Sequence, residues 1–312
     1  MSLASRTPMT AEEYLACKAR FSNWGRWGAD DQLGTLNFIT PEVRRAAVAL
    51  AREGRSVSCA HPIQTRGVQP DERRNSNPAD HRMRIGATGS SDYIGLSYHG
   101  YVNTHIDALC HFFTGSADDG GQLYNGRPLS VLTEDGARSN SVEHWRDGIL
   151  TRGVLYDIPA LRGEPHVTFE RPVEGWELEA FAAAHGITPR VGDAVLIRSG
   201  SDAYWAANAS TPMQFPPTCP GVAGSALEFL HAHDAALLSW DLMEAPDQGF
   251  ADHNPIHSVA IPHMGLPLLD NANFERLSAL CAELGRYEFL VSVAPLVVVG
   301  GTGSPVNPIA TF

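Results

Sequence analysis

Cysteine is scarce: the chain has five, Cys17, Cys59, Cys110, Cys219 and Cys281, an odd number, widely scattered and without a Cys-x-x-Cys pair. Neither a disulfide framework nor a thiolate zinc knuckle is expected from such spacing. Residues 1–14 lack the basic start and apolar run of a secretory signal. No stretch reaches the ~18 uninterrupted apolar residues of a spanning helix, the longest candidates being Phe289 to Val299 and Ala235 to Trp240. These absences point to a reducing cytoplasm and to no membrane partner. Positive charge is short as well, with 23 Lys and Arg against 35 Asp and Glu for a net charge of -12. A surface that tracks phosphates needs a basic stripe, so nucleic acid is excluded as a partner. No Gly-x-Ser-x-Gly elbow occurs, and Gly300 to Ser304 lacks the lysine of a phosphate loop.

What is present is an ordinary globular balance, with 43% hydrophobic and 19% charged residues in 312. Without repeats, low-complexity tracts or a linker, the chain reads as one domain spanning 1–312. Residues 1–60 form a helical and Trp-rich arm packed on the core. Thr10 to Arg20 reads as a helix, because Thr10 followed by Glu13 is a capping box. Thr40 to Glu53 reads as a second, with Thr40 as cap and Pro41 in the first turn. The stretch between them is too rich in glycine for a regular element, yet Trp24 and Trp27 are costly to leave in water. That loop is expected to pack on a pocket or a partner subunit. Residues 64–89 show no apolar periodicity and read as a long surface loop. From Gly153 on, apolar runs at 154–158, 194–198, 236–240 and 290–299 alternate with helical stretches at 176–185 and 223–234, which is α/β patterning.

The densest set of ligand-type side chains runs Tyr98-His99-Gly100-Tyr101-Val102-Asn103-Thr104-His105-Ile106-Asp107-Ala108-Leu109-Cys110-His111. Extended, this segment puts His99, Tyr101, Asn103, His105 and Asp107 on one face, since side chains alternate. His105 and Asp107 then stand about 7 Å apart along the strand, close enough to converge on one ion. His99 is roughly 20 Å from His105 on a straight strand and shares that ion only if the chain bends, so it is assigned to the substrate pocket. Cys110 is out of phase with the pair. Spacing alone does not separate a ligand pair from ordinary hydrogen-bonded side chains.

The segment resembles the metal motif of the cyclase family, which includes bacterial kynurenine formamidase, isatin hydrolase and trans-dienelactone hydrolase. The family pattern is His-x-Gly-Thr-His-x-Asp-x-Pro-x-His. Thr104, His105, Asp107 and His111 match it, while Tyr101, Asn103 and Leu109 stand where His, Gly and Pro would be. Further similar segments are 23–40, Tyr156-Asp157-Ile158-Pro159, 192–198 and 300–305. The resemblance implies an α/β swivelling β/β/α fold and a homodimer or homotetramer. It implies a metal-dependent hydrolase that opens a small amide, imide or lactone. A ring-forming cyclase or dehydratase and a non-catalytic small-molecule binder are the alternatives. By the same resemblance His105 and Asp107 hold a divalent ion, zinc or manganese, and His111 is the proton carrier. His257 and Asp270, with Gly265 between them, match a second ligand segment, in which His253 and His263 compete; the plainer reading is a loop histidine and a helix-capping Asp270. With Tyr101 in place of the first histidine, one ion per subunit is expected rather than two. Tyr101 then either donates a hydrogen bond to a substrate oxygen or packs in the wall. Trp24 and Trp27 are candidates for an aromatic side of the pocket. An all nitrogen and oxygen ligand set suits zinc or manganese, and water on such an ion loses a proton near neutral pH. Asp157 and Asp241, each closing an apolar run, read as turn residues.

Overall fold

The computed structural model describes residues 7–65, 77–209, 219–246 and 248–312. Helix α1, Ala11–Arg20, opens on the predicted capping box: Thr10 Oγ1 accepts from Glu13 N at 3.2 Å, and the Glu13 carboxylate accepts from Thr10 N at 2.8 Å. Helix α2, Pro41–Val48, starts at Thr40 as expected. It stops short of Glu53, whose N–H is taken by the Phe312 carbonyl as the chain turns into strand β1, Ser56–Ser58. The arm read as 1–60 therefore ends inside the central sheet.

Strands β2, Asp80–Ile85, and β3, Ser90–Gly95, pair as a separate antiparallel hairpin. This corrects the unbroken loop expected over 64–89, of which 66–76 lie outside the described residues. The hairpin escapes a periodicity search because both of its faces are exposed, so nothing selects alternation. Strand β4 is only His105–Asp107. The remaining sheet strands are β5 (Ile149–Asp157), β6 (Ala194–Arg198), β7 (Leu237–Trp240), β8 (Leu268–Asp270), β9 (Glu288–Val293), β10 (Gly303–Pro305) and β11 (Ile309–Thr311). They form a nine-stranded sheet in the order β1-β11-β9-β5-β6-β7-β8-β4-β10.

Its centre, β5 to β8, is parallel, and the strands on both flanks run antiparallel. The central runs are continuously apolar because both faces are covered. Val195, Ile197, Leu238 and Trp240 enter one hydrophobic cluster with Leu178, Phe181, Leu227 and Leu230. Ala194, Leu196, Leu237 and Leu269 enter the other with Leu277, Phe289 and Phe312. Helices Gly175–Ala184 and Ala226–Ala232 supply the partners on the first face and Glu275–Leu284 supplies Leu277 on the other, and each connects two strands. The expected strand 290–299 ends at Val293, since Pro295 cannot donate to a ladder, and Val297 and Val299 are exposed. Among the described residues no helix is long and apolar enough to cross a membrane.

Candidate metal centre

Strand β4 lies between β8 and β10, with His105 opposite both Asp270 and Pro305 and Asp107 opposite Leu268 and Gly303. Alternation sends Ile106 into the core and leaves His105 and Asp107 on the opposite face. Gly303 is required beside them, because a Cβ there would stand 2.3 Å from the Ile106 carbonyl oxygen and 3.1 Å from His99 Cε1. Asp270 ends a parallel strand, the side of an α/β sheet where sites form. Trp240 Nε1 donates to Asp270 Oδ1 at 2.6 Å, which leaves Oδ2 facing His257 Nε2 at 3.2 Å and His105 Nε2 at 3.9 Å. Asp270 is thus no helix cap; Asn273 Oδ1 accepts from Glu275 N at the start of the following helix.

The segment before β4 is bent rather than extended. Gly100 has φ +111°, in the region that favours glycine. The bend is tied down by Asn271, whose Nδ2 donates to the Gly100 carbonyl at 2.6 Å and to the Asn103 carbonyl at 3.1 Å. It turns His99 back onto the site, with Nδ1 2.9 Å from Asp107 Oδ1, Nε2 2.9 Å from Thr302 Oγ1, and the ring stacked on His111 at 3.8 Å and 3°. The separation expected for a straight strand is corrected accordingly. The imidazole that the motif puts at position 101 is delivered from position 99. Tyr101 instead packs, partly buried, against the first hydrophobic cluster, where burial and then the charge of Glu244 push its phenol up to about 12.

Asp107 is fully buried, yet neither carboxylate oxygen has a hydrogen-bond partner among the described residues. Four imidazoles surround it all the same. His99 Nδ1 and His105 Nε2 stand 2.9 and 3.4 Å from Oδ1, while His111 Nε2 and His257 Nε2 are each 3.6 Å from Oδ2. The other nitrogens of His99, His105 and His257 are committed, that of His99 to Thr302 as above. His105 Nδ1 is 2.8 Å from the Asn103 carbonyl, and His257 Nδ1 is gripped by both oxygens of Glu244 at 2.8 and 2.9 Å. With Nδ1–H donated to an oxygen, each of these two rings can present Nε2 inward to a metal ion that displaces its proton. Burial opposes charge on Asp107, but His111 and His105 overcome it and hold the carboxyl well below the usual range. His257 is raised well above its ordinary value although burial opposes this, because Glu244 and Asp270 flank it. Burial depresses His111 to about 4, with the neighbouring imidazoles adding to the effect and Asp107 opposing it. Three sequestered carboxylates beside inward-facing nitrogens fit a divalent cation. Two groups have ligand atoms within 4.8 Å of one another, His99, Asp107 and His111, and His105, Asp107 and Asp270.

Two residues of this neighbourhood were not singled out from sequence. Glu244 follows the end of β7 by a few residues, and an acid just past a parallel strand is the signal that could have found it. Phe112 sits 5.1 Å from the His111 ring and 4.9 Å from the His257 ring. The tryptophans are anchored elsewhere. Trp24 Nε1 donates to the Pro262 carbonyl at 2.7 Å and its ring lies 6.1 Å from His263, while Trp27 meets Phe38 edge-on at 5.0 Å. His253 lines a separate cavity of about 160 Å³ with Phe250 and Asp252. Asp241 accepts three backbone N–H groups from 199–201 at 2.6 to 3.0 Å, and Asp157 caps the helix at Ile158–Arg162, so both serve turns.

The cyclase family model matches residues 37–246, about two thirds of the chain. The chain belongs to the cyclase family. A solved structure described as a novel cyclase is 27% identical, with a TM-score of 0.78 over 94% of this cyclase-family chain and 100% of that one. An isatin hydrolase bound to the product analogue thioisatinate is 18% identical, with a TM-score of 0.57 over 87% of this chain and 98% of that chain. Isatin hydrolase A from Ralstonia solanacearum, also 18% identical, gives 0.52 over 87% and 97%. The isatin hydrolases share the fold with this cyclase-family member. No curated protein matches it significantly.

Proposed function

We propose that this cyclase-family chain is a metal-dependent hydrolase that opens a small amide, imide or lactone. The observation that carries the reading is Asp107, sealed from water with both oxygens unpartnered and four imidazole nitrogens turned toward it. Sorted by the oxygen they face, with His111 kept as the proton carrier, the ligands divide. His99 and His105 would hold an ion at Oδ1, and His257 with Asp270 would hold one at Oδ2, so we read two positions where Tyr101 alone suggested one. Zinc or manganese suits both. A divalent cation there supplies Lewis acidity and makes water acidic near neutral pH.

The protein's own groups do the rest. His111 is neutral at neutral pH, because burial depresses it to about 4, so it can accept a proton from water and return it to the leaving atom. Stacking on His99 and an edge contact with Phe112 hold its ring. Tyr101 keeps its proton, pushed up to about 12, and can donate to a substrate oxygen. Phe112 offers a flat apolar surface between His111 and His257, a better aromatic wall than Trp24 or Trp27, and favours a planar substrate. The assembly is proposed as a homodimer or homotetramer in the cytoplasm.

The test is metal analysis of the purified protein, then hydrolysis of formamides, imides and lactones with and without chelator. Asp107→Asn should lose metal and turnover together. A preparation that hydrolyses them equally well after complete metal removal would refute the proposal.

A further inference from the structure

Between Glu244 and His257 the described chain forms no helix or strand. A stretch of that kind can place the residues at its two ends only if something outside it holds it. The anchors come from helix α1. Tyr14 is fully buried, and its ring stacks on Phe250 with centroids 4.3 Å and planes 13° apart. Its hydroxyl donates to Asp252 Oδ2 at 2.6 Å and lies 3.1 Å from the Pro255 carbonyl oxygen. Lys18, the only lysine in the sequence, reaches the same Asp252 oxygen at 2.5 Å. One turn of α1 therefore grips residues 250, 252 and 255. The buried Ile256 follows, and then His257, whose Nδ1 is held by Glu244. A buried phenol with two oxygen neighbours and a shared lysine is a costlier arrangement than apolar packing of one more helix would need.

We propose that α1 is a positioning element for the metal centre: Tyr14 and Lys18 fix the 250–255 loop and thereby hold His257 in register with Glu244 and Asp270. This rests on the metal-centre reading above, so the test carries one readout that needs no metal. Tyr14→Phe keeps the stack on Phe250 and removes the hydroxyl; Lys18→Met removes the charge and Lys18→Arg restores it. Hydrogen exchange by mass spectrometry on the metal-free protein reports the 250–258 backbone, with 194–198 and 237–240 as the internal measure of intact folding. Zinc affinity is read separately by competition with a chromophoric chelator.

Tyr14→Phe and Lys18→Met should each speed exchange at 250–258 by about tenfold while the two strands stay protected. Zinc affinity should fall by about tenfold, the lower end of what outer-shell changes cost, and Lys18→Arg should stay within about twofold of wild type. Folded variants with wild-type exchange at 250–258 and wild-type zinc affinity would overturn the proposal. A wild-type protein that takes up neither zinc nor manganese would overturn the metal-centre reading instead, and the exchange rates alone would then decide whether α1 holds the loop.

Discussion

Replacing Gly100 with alanine separates the two proposed ion positions. At φ +111° an L-residue is strained, while the added Cβ would meet no atom within 4 Å, so the cost is conformational and not steric. Such strain is worth ~1–3 kcal/mol. The bend is tied mainly by the two Asn271 hydrogen bonds, each contributing about 1 kcal/mol net. Strain and restraint are therefore comparable, and the loop should relax in a large share of molecules and carry His99 away from Asp107. With 1.4 kcal/mol per factor of ten, ~1–3 kcal/mol becomes roughly a 5- to 150-fold weakening of the Oδ1-side ion. His257 and Asp270 are anchored by Glu244 and Trp240 and do not depend on the bend, so the other ion should keep its affinity. A zinc titration against a chromophoric chelator should show one unchanged and one weakened equivalent in Gly100→Ala, against two tight equivalents in wild type. Two unchanged equivalents, or equal weakening of both, would refute the reasoning.

Three further outcomes follow from the same geometry. His111→Ala should lower turnover by roughly 10²–10⁴-fold with metal content retained; loss of metal on inductively coupled plasma analysis would make it a ligand instead. Glu244→Gln removes the charged acceptor that holds His257 Nδ1 and should weaken metal affinity by roughly 10- to 100-fold, while unchanged affinity would leave Glu244 without a role in the site. In the metal-free protein, burial, reinforced by Lys18, depresses His263 to about 4, against an unfolded value near 6.5. The unfolded chain then binds more protons, so stability is full above about pH 6.5 and is lost as pH falls toward about 4. Urea unfolding at pH 7 and pH 4.5 should show a smaller difference in His263→Gln, by ~1–2 kcal/mol after allowance for partial exposure.

How far the chain could be read in advance depended on whether its local pattern and its environment agreed. Ala194–Arg198 was legible to the residue because a doubly covered parallel strand must be apolar throughout and is bounded by Asp193 and Ser199. The Thr10 helix was legible because its cap is written into adjacent side chains. His105 and Asp107 follow from alternation on a strand, and their meeting with His257 and Asp270 came from resemblance, since cross-strand register between positions so far apart leaves no local trace. His99 was misplaced because period-two reasoning ran straight through Gly100, the one residue able to reverse the chain there. The hairpin at 80–95 stayed hidden for the opposite reason, having no buried face to impose a pattern. Trp24 and Trp27 were read by cost of exposure alone, which says that an indole must be covered but not by what.

The short strand carrying Asp107 is wedged between Leu268–Asp270 on one side and Gly303–Pro305 on the other. Its neighbours arrive late in the chain, so these contacts span great sequence separations and belong to the slow part of folding. A chain without Gly303–Pro305 would contain every candidate ligand yet lack the rail that seats them. Ion capture would then report on the docking of that flanking strand.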